Sequence, residues 1–313
     1  MEQNKSHTKM KKIYVIILTL GILFLISFSI SKIDYTPKAI ENRIAVIPIT
    51  GPITTEGSSD FFSGEGASST AIVEFIKRAN NDDSIKGIIL EINSPGGGVV
   101  ASEEIAKAVK QSKKPVVSWI REVGASGAYW IASSSDAIVA APMSITGSIG
   151  VISSYLEFGG FLQEHNVTYQ RLVAGKYKDA GSPYTELTEE ERILFQAKLD
   201  KVYDYFVSDV AHNRDLEKEE VEELATGMFY LGVEAKDLNL IDYLGDKDTA
   251  VQVMEQLTET DDLQLVHFQK KKSLFEMLAG VNAMSSFYIG KGIGSEFTKK
   301  IDAEKAFQLN AKI

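Results

Sequence analysis

The sequence predicts an α/β domain with mostly parallel strand pairing. Short runs of β-branched and aliphatic residues alternate with stretches whose apolar residues recur at helical spacing. Glycine-rich turns stand where strand hands over to helix. With 313 residues, 44% hydrophobic and 24% charged, the chain has material for one large domain or two small ones and is not wholly disordered.

Ahead of that domain lies an uncharged apolar run, Ile13–Ile30. Eighteen residues rising ~1.5 Å each give ~27 Å, close to the hydrocarbon thickness of a bilayer. Lysines precede the run, which predicts a cytoplasmic N-terminus and a body on the far side of the membrane. Ser27-Phe28-Ser29 offers a weak cleavage signal, but the run is long for a signal peptide, so an uncleaved anchor is the expectation. Residues 1–32 hold five lysines against Glu2, +4; with −10 overall, the remainder carries −14. An acidic body argues against nucleic acid as a partner.

Residues 32–42 read as a polar linker. Arg43–Ile53 is strand-like, interrupted at Gly51-Pro52, and residues 54–68 form a Gly/Ser/Thr-rich loop. Ile72, Phe75, Ile76 and Ala79 mark a helix face, and Gly87–Ile92 is a short buried strand. After the turn Asn93–Gly98 comes a second helix with Ala101, Ile105, Ala108 and Val109 on one side. Pro115–Ile120 is a strand, Gly127–Ser133 a helix, Asp136–Ala141 a strand, and Thr168–Val173 is strand-like. Thr188 to Glu191 forms a capping box that opens a long helix with Phe195, Leu199, Val202, Phe206 and Val210 facing inward. Residues 258–313 break the pattern, and no internal repeat is evident.

Several chemistries are excluded. There is no cysteine, hence no disulfide framework, thiolate zinc site, cysteine nucleophile or acylated lipoprotein. The four histidines, His7, His165, His212 and His267, show no ligand spacing, so no histidine-built metal site is expected. The glycines of 93–98 lack the Gly-Lys-Ser/Thr ending of a P-loop and the G-x-G-x-x-G of a dinucleotide fold. What they can do is turn backbone N–H groups into a cleft, or simply make a tight strand-to-helix turn.

Ser126, in Gly124-Ala125-Ser126-Gly127-Ala128, sits between strand and helix, where it can cap the helix or act as a nucleophile beside the free N–H of Gly127. The glycine spacing is not that of the G-x-S-x-G elbow. A serine nucleophile needs a base, and the histidines stand in polar or terminal positions. A desolvated lysine can replace one, at ~1.4 kcal/mol for each unit its pKa falls. Lys176 and Lys178 flank Tyr177, and a solvated surface lysine is the plain alternative for either. Ser6 and Lys9 match S-x-x-K but lie in the cytoplasmic tail.

Four motifs then occur in order: NSPGGG at 93–98, ASGAYWIA at 125–132, TGSIGVI at 146–152 and GKYKDAGSP at 175–183. Together with Met228–Asp246, this set resembles the signal peptide peptidase A (SppA) family, the Ser-Lys serine peptidases of peptidase family S49, in its short single-domain form. The resemblance covers about residues 43–257. It implies a ClpP/crotonase-like fold of repeated β-β-α units, preceded here by one N-terminal transmembrane helix. With the segments read from the residues before it, the expected division is cytoplasmic tail 1–12, signal anchor 13–31, linker 32–42, peptidase domain 43–257 and a C-terminal tail 258–313 without assigned role. By the same resemblance Ser126 is the nucleophile and Lys178 the general base. Ser148 orients the lysine, and the N–H groups of Gly97 and Gly127 form the oxyanion hole, the donor within 96–98 being open by one residue. Ala128 departs from the family, which usually has glycine there.

The implied protein is a membrane-anchored endopeptidase without cofactor or metal, its catalytic domain outside the cytoplasm and its substrates remnant signal peptides. It is implied to be a homo-oligomer, because the family joins Ser and Lys from adjacent domains and this chain has one copy of each motif. Alternatives are a related protease acting on another membrane protein, a crotonase-fold acyl-CoA enzyme, and an inactive tethered interaction protein. The anchor and the TGSIG and KYKD segments count against the acyl-CoA enzyme; Ser126 with Lys178 counts against the inactive protein.

Overall fold

The computed structural model describes residues 18–25, 42–57, 59–60 and 64–269. Most of the apolar run 13–30, the linker to residue 41 and the tail from 270 therefore lie outside the described residues. Within the run, residues 18–25 are helical (α1) and exposed. Among the described residues no helix is long and apolar enough to cross a membrane.

The body begins with β1 (Arg43–Thr50), followed by β2 (Ile53–Thr54), β3 (Ser59–Asp60), β4 (Gly64–Glu65), β5 (Ala67–Ser68) and α2 (Ser69–Asn81). The loop expected at 54–68 thus holds two short ladders, β2 with β5 and β3 with β4. Next come β6 (Ile85–Ser94), α3 (Val99–Lys110), β7 (Val116–Ala125), α4 (Gly127–Ser133), β8 (Ala137–Ala140) and β9 (Ile145–Gly147). The remainder is α5 (Gly159–Glu164), α6 (Glu189–Arg214), α7 (Lys218–Leu224), β10 (Phe229–Leu231), α8 (Gly232–Asp237), β11 (Tyr243–Leu244), α9 (Lys247–Thr258) and β12 (Gln264–His267).

Eight strands form one sheet, ordered β10-β9-β7-β6-β1-β12, with β8 also on β7 and β11 on β8. Every pairing in it is parallel except β10 with β9. β12, beyond the boundary expected at 257, pairs with β1, so the sheet reaches into the expected tail.

Alternation along the strands sorts the core into two faces. Ala45, Ile47, Ile49, Ile88, Leu90 and Ile92 pack against α2, α3, α4 and α6. Ile44, Val46, Ile89 and Val117 meet Ala250, Val253 and Met254 of α9 on the other face.

α6 differs from expectation. Its capping box is formed, with Glu191 N–H donating to Thr188 Oγ1 and Thr188 N–H to Glu191 Oε2. Only its second half is buried, through Phe206, Val207, Val210 and Ala211. Phe195 is exposed, and Leu199 and Val202 are half-buried, because the first half projects past the sheet with the arm 151–188. Along that arm Ile152 is 90% and Leu172 98% exposed. The expected strand Thr168–Val173 is not one: nothing in the described chain pairs with it, and a lone β-branched run has no ladder to join.

Candidate active site

β7 is shared along its length. Its first half, Val117–Ile120, pairs with β8, and its end, Val123–Ala125, pairs with β9. Ala125 lies opposite Gly147, so the residues that follow, Ser126 and Ser148, leave neighbouring strands at the same level. Ser126 N–H donates to Gly147 O at 2.8 Å. It caps α4 with its backbone at φ 53°, ψ −125°, a conformation that a side chain adopts only under strain. That turn aims Ser126 into a cleft of about 500 Å³. Ser148, also at positive φ (50°), gives its N–H to Met228 O and its hydroxyl to Gly227 O, both at 3.0 Å.

The turn after β6 forms the facing wall. Gly96 adopts φ 96° and takes the Ser94 hydroxyl on its N–H at 3.1 Å. Gly97 bridges Ile53 in parallel fashion, with Ile53 N–H donating to Gly96 O (2.9 Å) and Gly98 N–H to Ile53 O (2.8 Å). In such a bridge the central residue turns its own N–H the other way. The N–H groups of Gly96 and Gly98 are thus occupied, whereas those of Gly97 and Gly127 have no acceptor among the described residues. Gly97 can only be glycine, because a Cβ there would stand 2.0 Å from Ile53 O. The Cβ position of Gly127 is 3.4 Å from Gly97 N, so the two free donors share one end of the cleft. This is the arrangement that stabilises charge developing on a carbonyl oxygen.

The structure therefore brings together Ser126, Ser148, Gly97 and Gly127, all lining the cleft. Lys178 is exposed on the arm and is not among the lining residues. Its neighbours are tied down. Lys176 Nζ and Tyr177 OH both reach Glu190 Oε1, each at 2.5 Å. The hydrogen bond to Glu190 holds the Lys176 amine well above the ordinary lysine range, so it keeps its proton, while Glu190 is held below the carboxylate range chiefly by Lys176.

Other features of the site carried no sequence signal that singled them out. Trp130 lines the cleft, stacked on Phe206 at 4.8 Å and donating its indole N–H to Asp209 at 2.6 Å. Gly227, which receives the Ser148 hydroxyl, arrives through the antiparallel β10, a pairing no motif announces. The buried Ser102 hydroxyl, at 2.2 Å from the Gly127 Cβ position, has no hydrogen-bond partner among the described residues. Among the described residues no cluster of His, Asp and Glu is placed to hold a metal.

Comparison with known proteins places this geometry. The family model described as peptidase family S49 matches residues 108–261, and that of Clp protease matches 63–144. A protein of Methanocaldococcus jannaschii named as a protease is 33% identical over 91% of this chain and 94% of its own length. An Enterococcus faecium protein named as signal peptide peptidase SppA is 34% identical over 76% of this chain and 70% of its own. Protease 4 of Haemophilus influenzae is 33% identical over 70% of this chain, which spans 35% of that longer protein. In structure the chain is similar to a membrane-bound stomatin-specific protease, 1510-N, with a TM-score of 0.52 at 17% identity, covering 74% of this chain and 99% of that one. The parallel-rich sheet and these matches give the ClpP-like fold.

Proposed function

The chain belongs to peptidase family S49, as an SppA-type serine peptidase, and from that premise we propose that Ser126 is its nucleophile and Lys178 its general base, the two drawn from different copies of the chain. The observation that carries the reading is Ser126 itself: strained, fixed to Gly147, and facing a cleft where two glycine N–H groups are free.

A peptide carbonyl enters the cleft. The partner subunit's Lys178 takes the Ser126 proton as the oxygen adds to the carbonyl carbon. The N–H groups of Gly97 and Gly127 hold the oxyanion. The ammonium then gives its proton to the leaving amine, and water cleaves the acyl-enzyme by the same route. Ser148 fits the orienting role: its hydroxyl hydrogen is spent on Gly227 O, so its lone pairs are left to accept an amine N–H.

A shared site is supported by the position of Lys178 outside the cleft lining and by the apolar side chains displayed along the arm and the start of α6, among them Ile152, Leu156, Leu172 and Ile193. Membrane anchoring through residues 13–31, with the catalytic domain 43–257 outside the cytoplasm, is supported by the uncharged run and the lysines before it. Remnant signal peptides suit a cleft lined by Val99, Trp130, Val151, Val202 and Phe206. No cofactor enters any step.

Labelling with a serine-reactive phosphonate tests the reading. Wild type should be labelled, Ser126→Ala not at all, and Lys178→Ala only slowly. Equal labelling of all three would remove both assignments.

A further inference from the structure

The short segment that carries Lys178 is fastened on both sides of that residue. It folds as successive turns: Lys178 N–H donates to Gly175 O (3.2 Å), Ala180 N–H to Tyr177 O (3.2 Å) and Ser182 N–H to Asp179 O (3.0 Å). With i to i+3 bonding, consecutive side chains fan out around the turn instead of alternating. Each neighbour in the fan has a fixed partner. Lys176 and Tyr177 converge on one oxygen of Glu190, the second residue of α6. Asp179 accepts from Tyr169 OH at 3.1 Å and from Arg171 Nε at 2.8 Å, on the chain leading into the turn. The start of α6 is itself held by the Thr188–Glu191 capping box, which fixes the backbone that carries Glu190. Within 176–179, Lys178 alone has a side chain that bonds to none of the described residues.

We infer that Glu190 and Asp179 are positioning residues: Glu190 grips the two side chains before Lys178, and Asp179, tied to Tyr169 and Arg171, anchors the residue after it, so that the Lys178 amine alone is presented to the serine of the neighbouring copy. Isolated exposed ion pairs contribute little to stability, so these contacts matter through geometry, since proton transfer from Ser126 tolerates little displacement. The arrangement also separates the two lysines chemically: Lys176 is committed to Glu190 as a permanent cation, and Lys178 is left to exchange a proton. The inference rests on the reading of Lys178 as the base.

The test uses the full chain in detergent, with kcat, KM and the pH dependence of kcat/KM measured on a peptide ester. Glu190→Gln and Asp179→Asn should each lower kcat roughly tenfold or more with KM nearly unchanged. Each should also move the acid limb of kcat/KM to higher pH, because a less enclosed amine holds its proton longer. Lys176→Arg, which can still pair with Glu190, should keep most activity, and Tyr177→Phe, which removes one of the two bonds to Glu190, should cost less than Glu190→Gln. Wild-type kcat and an unmoved limb in both carboxylate variants would overturn the inference, as would a fall in kcat with no movement of the limb. Lys178→Ala separates the two levels. If it is inactive while the carboxylate variants behave as wild type, only the positioning role fails. If it turns over normally, the base assignment fails.

Discussion

Ser126 and Ser148 leave adjacent parallel strands at the same level, both with positive φ (53° and 50°), and the Ser126 N–H is bonded to the carbonyl of Gly147, just before Ser148. Two serines that line one cleft are thereby placed at the ends of neighbouring strands with different surroundings. Ser126 caps α4 without a side-chain bond of its own, whereas Ser148 has its hydrogen on Gly227 O.

That asymmetry predicts unequal consequences of removal. Ser126→Ala should lower turnover by at least about a thousandfold, since no attacking oxygen remains. Ser148→Ala should cost less, on the order of ten- to a hundredfold, by freeing the lysine amine from its guide. Turnover on casein or a peptide ester ranks them, and a Ser126→Ala enzyme at full activity would remove the nucleophile assignment.

The two lysines should respond oppositely to a change that keeps charge. Lys178→Arg should be nearly inactive, because a guanidinium does not give up its proton at working pH. Lys176→Arg should be close to wild type, because Arg can still pair with Glu190. The reverse order in a turnover assay would move the base to Lys176.

Mixing inactive subunits probes the shared site. Ser126→Ala and Lys178→Ala proteins, each inactive, should regain part of the activity when their oligomers are dissociated and reassembled together, because some junctions then carry an intact pair. No recovery at any ratio would mean that each site lies within one chain.

Ser102→Ala should leave the protein at least as stable as wild type. A buried hydroxyl without a partner is unfavourable by about 1–3 kcal/mol, and Ser102 is fully buried with its Oγ unpaired. Alanine keeps the packing against Gly127 and drops the polar atom. Thermal unfolding measures it, and a clear fall in the midpoint would show that the hydroxyl finds a partner in solution.

What could be read from the sequence was whatever local spacing dictates. Gly127–Ser133 emerges as α4 with the bounds expected, and Thr188 with Glu191 caps α6 as its residue types require. Ile72, Ile76 and Ala79 face the core because a 3.6-residue period admits one apolar face. The same period misleads for Phe195, since a helical stripe does not say how far the sheet beneath it extends. Gly227 beside Ser148 depends on the register of β10 on β9, a contact across 79 residues that no local pattern encodes. What distinguishes Gly97 from its neighbours is non-local in part: Gly98 N–H is taken by Ile53 O and Gly96 N–H by the Ser94 hydroxyl, which leaves the Gly97 N–H open.

The place of β1 between β6 and β12 bears on how the protein is made. β1 and β6 are complete once residue 94 has emerged, but the other edge of β1 waits for Gln264–His267. At synthesis rates of roughly 5–20 residues per second, that interval is on the order of ten to thirty seconds. For that time the nascent chain carries an open parallel edge one strand in from the rim of its future sheet, and that edge is exposed to unwanted pairing until Gln264–His267 arrives.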